Sequence, residues 1–186
     1  MSLTQIAGPA LEPVTVVELK THLRVETSDE DAFLNDLVRT ARQQVEAMTG
    51  KSLITQQWLQ VVDGNRLNAL ISILPSPVRS IDSLTINAAD NTTSVLSPGD
   101  YSADLISDPA RLKINSSLVG ARCFNGLEIR VTTGFGDLPT DVPDGLKRAI
   151  VVLAGHWFEH RTEAEYRTGT PAGLDLLLAP YQRLSI

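Results

Sequence analysis

The stretch SDEDAFLNDLVRTARQQVEAMTGKSLITQQWLQVV, Ser28–Val62, changes its period in the middle, and that change decides the fold class. In its first part Leu34, Leu37, Val38, Ala41, Val45 and Met48 recur at the three-and-four spacing of one helix face. Ser28 stands where an N-cap belongs, acids follow in the first turn, and Gly50 supplies the residue that closes a helix in the left-handed region. From Leu53 the spacing shortens. LITQQWLQVV (53–62), ALISIL (69–74), SLTINA (83–88), ARLKIN (110–115) and LEIRVTT (127–133) are short, β-branched or alternating runs. Turn-forming clusters DGN, PSP, AADN, SPGD and FNG separate them, which predicts an antiparallel sheet module.

Working outward, both flanks read as helix. Towards the N-terminus, TVVELKTHLRV places Glu18 three positions after Thr15, the reciprocal capping arrangement of a helix start. Beyond the GFGDLPTDVP loop, Pro143 and Asp144 introduce DGLKRAIVVLAGHWFEHR, with Leu146, Ile150, Leu153 and Trp157 on one face, and this helix is expected to run to about Arg161. Thr170 as N-cap and Pro171 at the first helical position then begin a short leucine-rich helix that Pro180 bends or ends. The order is helix, helix, sheet, helix, helix. Apolar helix faces at both ends need partners, so the expected fold is α+β: a mainly helical body built from both chain ends, with an inserted antiparallel β module. The boundaries follow as residues 1–52 for the N-terminal helical part, 53–136 for the β module and 137–186 for the C-terminal helical part.

Composition limits the function classes. At 186 residues the chain is long enough to bury a substantial core, and 42% hydrophobic against 20% charged residues is an ordinary globular balance. A single cysteine excludes an internal disulfide. MSLTQIAGPALEP lacks the basic start and apolar core of a secretory signal, and the apolar run Ala149–Gly155 is too short to span a bilayer, so no membrane role is expected. The net charge of −6 argues against a protein whose task is gripping phosphates. Leu53–Gly136 carries six basic and seven acidic residues, leaving ten and fifteen for the flanks, so the acidity lies in the helical ends.

One motif calls for chemistry. HWFEH, His156–His160, puts two imidazoles on one helix face with Glu159 beside them, the H-x-x-E-H pattern of a zinc hydrolase. A catalytic zinc takes three protein ligands, and the chain supplies few candidates: His22, Cys123, and after His160 only Glu163, Glu165 and Asp175. Neither phosphate-loop spacing nor a G-x-S-x-G elbow is present, so Gly134 and Gly136 read as a turn.

Three runs together resemble a known family: EPVTVVELKTHLRVETSDEDAFLNDLVRTARQQVEAMTGKSLITQQW (12–58), VTTGFGDLPTDVPDGLKRAIVVLAGHWFEHR (131–161) and LLLAPYQRL (176–184). The chain is similar in these runs to the head-tail connector, or adaptor, proteins of long-tailed bacteriophages, prophages and gene transfer agents. The resemblance implies a non-enzymatic virion assembly protein without cofactor or metal, forming a homo-oligomeric ring of about twelve subunits. The implied partners are the portal protein above and a downstream tail or stopper protein below. DNA would pass through the channel without specific binding, and the implied location is the virion head-tail junction, with the host bacterial cytoplasm during assembly. In the family's corresponding run Asn commonly stands at the place of His160, which makes the zinc pattern a chance completion. A zinc-dependent hydrolase using His156, Glu159 and His160 is the alternative from another class; another tail completion protein of the same particle is the alternative within this one.

Candidate contact residues fall in two places. Arg161, Glu163, Tyr166 and Arg167 lie in a polar loop with one aromatic. Tyr181, Arg183, Leu184 and Ile186 lie in an apolar tail, which the resemblance implies docks on the portal and which packing alone would place in the subunit's own core. A surplus of exposed carboxylates such as Glu26, Asp29, Glu30 and Asp36 would repel DNA phosphates if it faced a channel, or is simply a solvated face.

Overall fold

Four helices and eight strands form an α+β fold in the computed structural model, which describes residues 1–115, 120–160 and 170–182. The helices are α1 (Val16–Leu23), α2 (Asp31–Thr49), α3 (Asp144–Glu159) and α4 (Leu174–Leu178). The strands are β1 (Ser2–Ala7), β2 (Gln56–Val62), β3 (Ile71–Ile73), β4 (Val78–Asn87), β5 (Thr93–Val95), β6 (Tyr101–Asp104), β7 (Ala110–Ile114) and β8 (Leu127–Thr133). They divide into a sheet unit, Met1–Pro9 with Thr55–Phe135, and a helical unit, Ala10–Ile54 with Gly136–Ile186.

In the helical unit α1 starts as its sequence predicts. The Thr15 amide donates to the Glu18 carboxylate (2.7 Å) and the Glu18 amide donates back to the Thr15 hydroxyl (3.2 Å), so two orphan donors are satisfied by one pair. The start of α2 differs from expectation. Ser28 does not cap it; the helix begins at Asp31 after Glu30, because the Ser28 carbonyl takes the Asp31 amide (3.2 Å) in a preceding turn. Gly50 closes α2 at φ 68°, its amide bonded to the Glu46 carbonyl (2.8 Å). The face Leu34, Leu37, Val38, Ala41 and Val45 is buried against α3, which contributes Leu146, Ala149, Ile150, Leu153 and Ala154, while Trp157 is only half-buried. The last helix is shorter than predicted. Gly173 at φ 87° interrupts the path after Thr170 and Pro171, so α4 begins only at Leu174, and its Leu174 and Leu178 close the core.

The sheet unit holds two antiparallel sheets, ordered β1-β2-β8-β4-β5 and β3-β7-β6. In β8 Leu127, Ile129, Val131 and Thr133 turn inward while Glu128, Arg130 and Thr132 turn away, the alternation its sequence predicts. Opposite them β2 pairs Val62 with Leu127, Gln60 with Ile129 and Trp58 with Val131. Ile71, Ile73, Ala110, Leu112 and Ile114 of the smaller sheet join Val62, Leu84, Ile86, Ile129 and Val131 of the larger one in a single core. Three strands were not expected: β1, β5 and β6. The first also moves a boundary, since Met1–Pro9 joins the sheet unit rather than the helical part assigned to residues 1–52. All six β1 residues are exposed, so β1 buries no stripe that would betray it in the sequence and is held at the sheet edge by its ladder to β2.

Candidate interaction surfaces

The H-x-x-E-H run forms the end of α3. His160 follows the helix as its C-cap; its amide donates to the His156 carbonyl (3.1 Å) and its ring Nδ1 lies 2.9 Å from the same oxygen. The two rings lie 4.3 Å apart between centroids, tilted by 37°. A histidine in the last turn bonding the terminal carbonyls is a helix-capping arrangement, favoured by the dipole. Among the described residues no group of three or more His, Cys, Asp and Glu is placed to share a metal ion. The zinc-hydrolase alternative therefore has no support: its second histidine caps a helix. His22, the remaining histidine, packs over α3, where Gly155 is so close that a Cβ there would meet the ring at 3.3 Å.

The TGFGD loop is likewise a turn closed on itself. Gly134 adopts φ 124°. Asp141 accepts the Leu138 amide (2.9 Å), and its carboxylate occupies the space beside Gly136 so fully that a Cβ would fall 2.1 Å from Oδ2. Perturbed carboxylates point the same way. Glu18 is held below the usual range first by the Thr15 amide and then by its hydroxyl, Asp90 by the Thr92 hydroxyl, Asp144 by Lys147, and Asp104 well below by the Ser107 hydroxyl ahead of Arg111. Each belongs to a cap, a turn or a surface pair, none to a catalytic constellation.

What remains is surface. Of the predicted contact residues only Tyr181 lies within the described residues; Arg161, Glu163, Tyr166, Arg167, Arg183, Leu184 and Ile186 lie outside them. Tyr181 is partly buried against the first turn of α3, where a Cβ on Gly145 would stand 3.0 Å from its hydroxyl. Glu26, Asp29 and Asp36 are exposed and Glu30 is half-exposed. Between α1 and the start of α2 lies a groove of about 630 Å³, lined by Val16, Val17, Arg24 and Val25 and crossed by the Lys20–Asp31 ion pair (2.7 Å). Among the described residues the exposed large apolar side chains include Val17, Leu70, Val95, Phe124, Leu176 and Ile106, the last fully exposed. The signal for Ile106 was its place inside the DLISDP turn, beside Leu105, the residue of that turn that packs against the sheet core.

The fold has close counterparts. A chain from the neck of an empty gene transfer agent (GTA) particle computed with C6 symmetry matches with a TM-score of 0.83 at 22% identity, covering 100% of this chain and 97% of that one. A chain from the virion of a native gene transfer agent particle matches with a TM-score of 0.81 at 22% identity and the same coverage. For a chain from the neck of a native GTA particle computed with C12 symmetry the values are 0.79 and 21%, again with that coverage. No curated protein matches the sequence. The family model of the phage gp6-like head-tail connector proteins matches residues 13–99, just under half of the chain, from the approach to α1 through β5. Over those residues the chain is similar to the phage gp6-like head-tail connector proteins.

Proposed function

We propose that the chain is a non-enzymatic structural subunit of the head-tail junction of a phage-like particle, one of about twelve copies that close a ring around the DNA path. The family match over residues 13–99 carries this reading. Supporting it, two counterparts of the same fold come from particle necks computed with C6 and C12 symmetry. In this reading the portal protein lies on one side and a downstream tail or stopper protein on the other. The helical unit serves as the connector body and the sheet unit as the module inserted into it. Arg161, Glu163, Tyr166 and Arg167 face a neighbouring subunit, and the tail from Tyr181 through Arg183, Leu184 and Ile186 reaches the portal. Assembly takes place in the bacterial host cytoplasm, and the finished ring stays in the virion.

The test separates docking from folding. Tyr181 already packs against Gly145, so the informative truncation removes only Arg183–Ile186 and leaves that contact in place. The expected result is an unchanged melting temperature with loss of binding to purified portal rings. Unchanged portal binding would refute the tail contact, and loss of folding would assign the tail to the subunit's own core. Binding of the full chain to a tail completion protein but to no portal would move the subunit one level down the particle.

A further inference from the structure

We infer that neighbouring copies of the chain meet head to tail through a knob and a hole on the sheet unit, Ile106 of one copy seating between Val62, Leu70, Ile71 and Leu74 of the next. The inference deepens the ring reading and rests on it.

The knob is the turn joining β6 to β7. A single carboxylate organises it: Asp104 accepts the amides of Ile106 and Ser107 (both 3.1 Å), the Ser107 hydroxyl (2.6 Å) and the Arg111 guanidinium (2.5 and 3.2 Å). The backbone is therefore fixed before any partner arrives. On it Ile106 is 100% exposed, so within its own subunit this apolar side chain buries nothing. A preorganised turn presenting a branched alkyl group loses little conformational entropy on docking, which is where an interface anchor gains.

The hole lies elsewhere on the same unit. It is a cavity of about 210 Å³ walled largely by Val62, Ala69, Leu70, Ile71 and Leu74. One wall is fixed from behind, because the buried Gln60 amide donates to the Ser72 carbonyl (2.8 Å) and accepts the Leu74 amide (2.9 Å). Charge fits the pairing. Exposed Asp108 flanks the knob, and exposed Arg66 lines the hole. No residue of the hole belongs to the turn, so the two patches differ, and in the ring reading each copy offers its knob to one neighbour and its hole to the other. Such a heterologous contact repeats until it closes, which is the requirement of a ring and is not met by a twofold interface.

The test uses full-length chains in which Cys123, the exposed natural thiol, is changed to Ser. One preparation then carries Ile106→Cys and another Leu70→Cys. Each alone, and both in equal mixture, are treated with a short bismaleimide in the presence of portal rings. A cross-linked pair is expected in the mixture and in neither single preparation. Absence of the pair while native mass spectrometry of the same mixture shows closed rings overturns the knob and hole but leaves the ring reading intact. Absence of rings from the unsubstituted protein with portal present overturns both. In a second arm, Ile106→Asp is expected to leave the melting temperature unchanged and to lower the assembled fraction at least tenfold; unchanged assembly counts against the inference.

Discussion

The helical and sheet units each bury a polar side chain among their apolar residues, but a different kind. In the helical unit Arg42, 4% exposed, donates through Nε to Glu12 (2.7 Å) and through Nη1 to Glu46 (2.5 Å), and Glu46 also accepts the Leu53 amide (2.9 Å). In the sheet unit the corresponding residue is neutral, Gln60, fully buried and bonded to the chain leaving β3. The difference follows from what holds each unit in register. Strand ladders already fix β2, β8 and β4, so Gln60 is spent on the departing segment rather than on the pairing of these strands. Helices have no such ladder between them, and one buried cation ties the residues before α1, the end of α2 and the exit at Leu53 to a single arrangement. A cation left without its anions, or anions without their cation, costs far more than an unpaired amide. Arg42→Met is accordingly the most damaging change expected, about 3–5 kcal/mol, since it strands two carboxylates. Gln60→Leu leaves the Ser72 carbonyl and the Leu74 amide unpaired and is expected to cost about 2–4 kcal/mol. Denaturant titration measures both, and hydrogen exchange assigns each loss to its unit. Equal losses would break the contrast.

Close packing differs between Gly64 of the sheet unit and Gly155 of the helical unit as well. In the sheet unit the Asp63-Gly64 and Asn125-Gly126 turns press together: a Cβ on Gly64 would lie 2.2 Å from the Arg122 carbonyl oxygen, and one on Gly126 would lie 2.8 Å from the Gly64 Cα. Backbone must move to admit either. In the helical unit the neighbour of Gly155 is the ring of His22, an exposed side chain that can swing aside. Gly64→Ala is therefore expected to destabilise by about 2–3 kcal/mol. Gly155→Ala is expected to stabilise by about 0.5 kcal/mol, because the gain in helix propensity outlasts a small ring displacement. Thermal melts of the two variants against the parent check the opposite signs.

The same contrast explains what the sequence made legible. Elements that bury a periodic stripe were readable: α2 through Leu34 to Val45, α3 through Leu146 to Leu153, β7 and β8 through strict alternation. Elements held by backbone bonds alone were not, since a ladder leaves no mark in side-chain pattern. Both β1 and β5 are exposed along their whole length and were missed. Helix ends were legible where a residue type marks them, as with the Thr15–Glu18 pair, Pro143 before α3 and Gly50 after α2; where an unmarked backbone turn closes the start, as at Ser28–Asp31 and Gly173, the predicted boundary slipped. The H-x-x-E-H run shows the limit from the other side. Its spacing is a correct statement about one helix face, but whether a third ligand arrives is a tertiary fact, and His160 turns back onto the carbonyl of His156 instead.

The smallest effect expected, and the finest test of the contrast, is the order in which acid loosens the two units. Glu18 in the helical unit is held below its ordinary value of 4.5 by the Thr15 amide and hydroxyl, so its folded pKa is depressed. A depressed carboxylate stabilises above its unfolded pKa and loses that contribution as the pH falls through the folded value. Asp104 in the sheet unit, whose ordinary value is 3.8, is held well below it by Ser107 and Arg111, so its turn keeps its carboxylate ionised into more strongly acid solution. On acidification the α1 cap is therefore expected to give way first and the β6–β7 turn later. Amide chemical shifts of Glu18 and of Ile106 with Ser107, followed from pH 7 downward, report the two steps separately. In parallel, Glu18→Gln keeps the acceptor and removes the charge, and is expected to cost about 0.3–1 kcal/mol at pH 7 and nothing once the parent's Glu18 is protonated. If the turn amides shift before the cap amide, the hydrogen-bond geometry around Asp104 is weaker in solution than these distances make it, and the knob it supports is less well fixed than a ring contact requires.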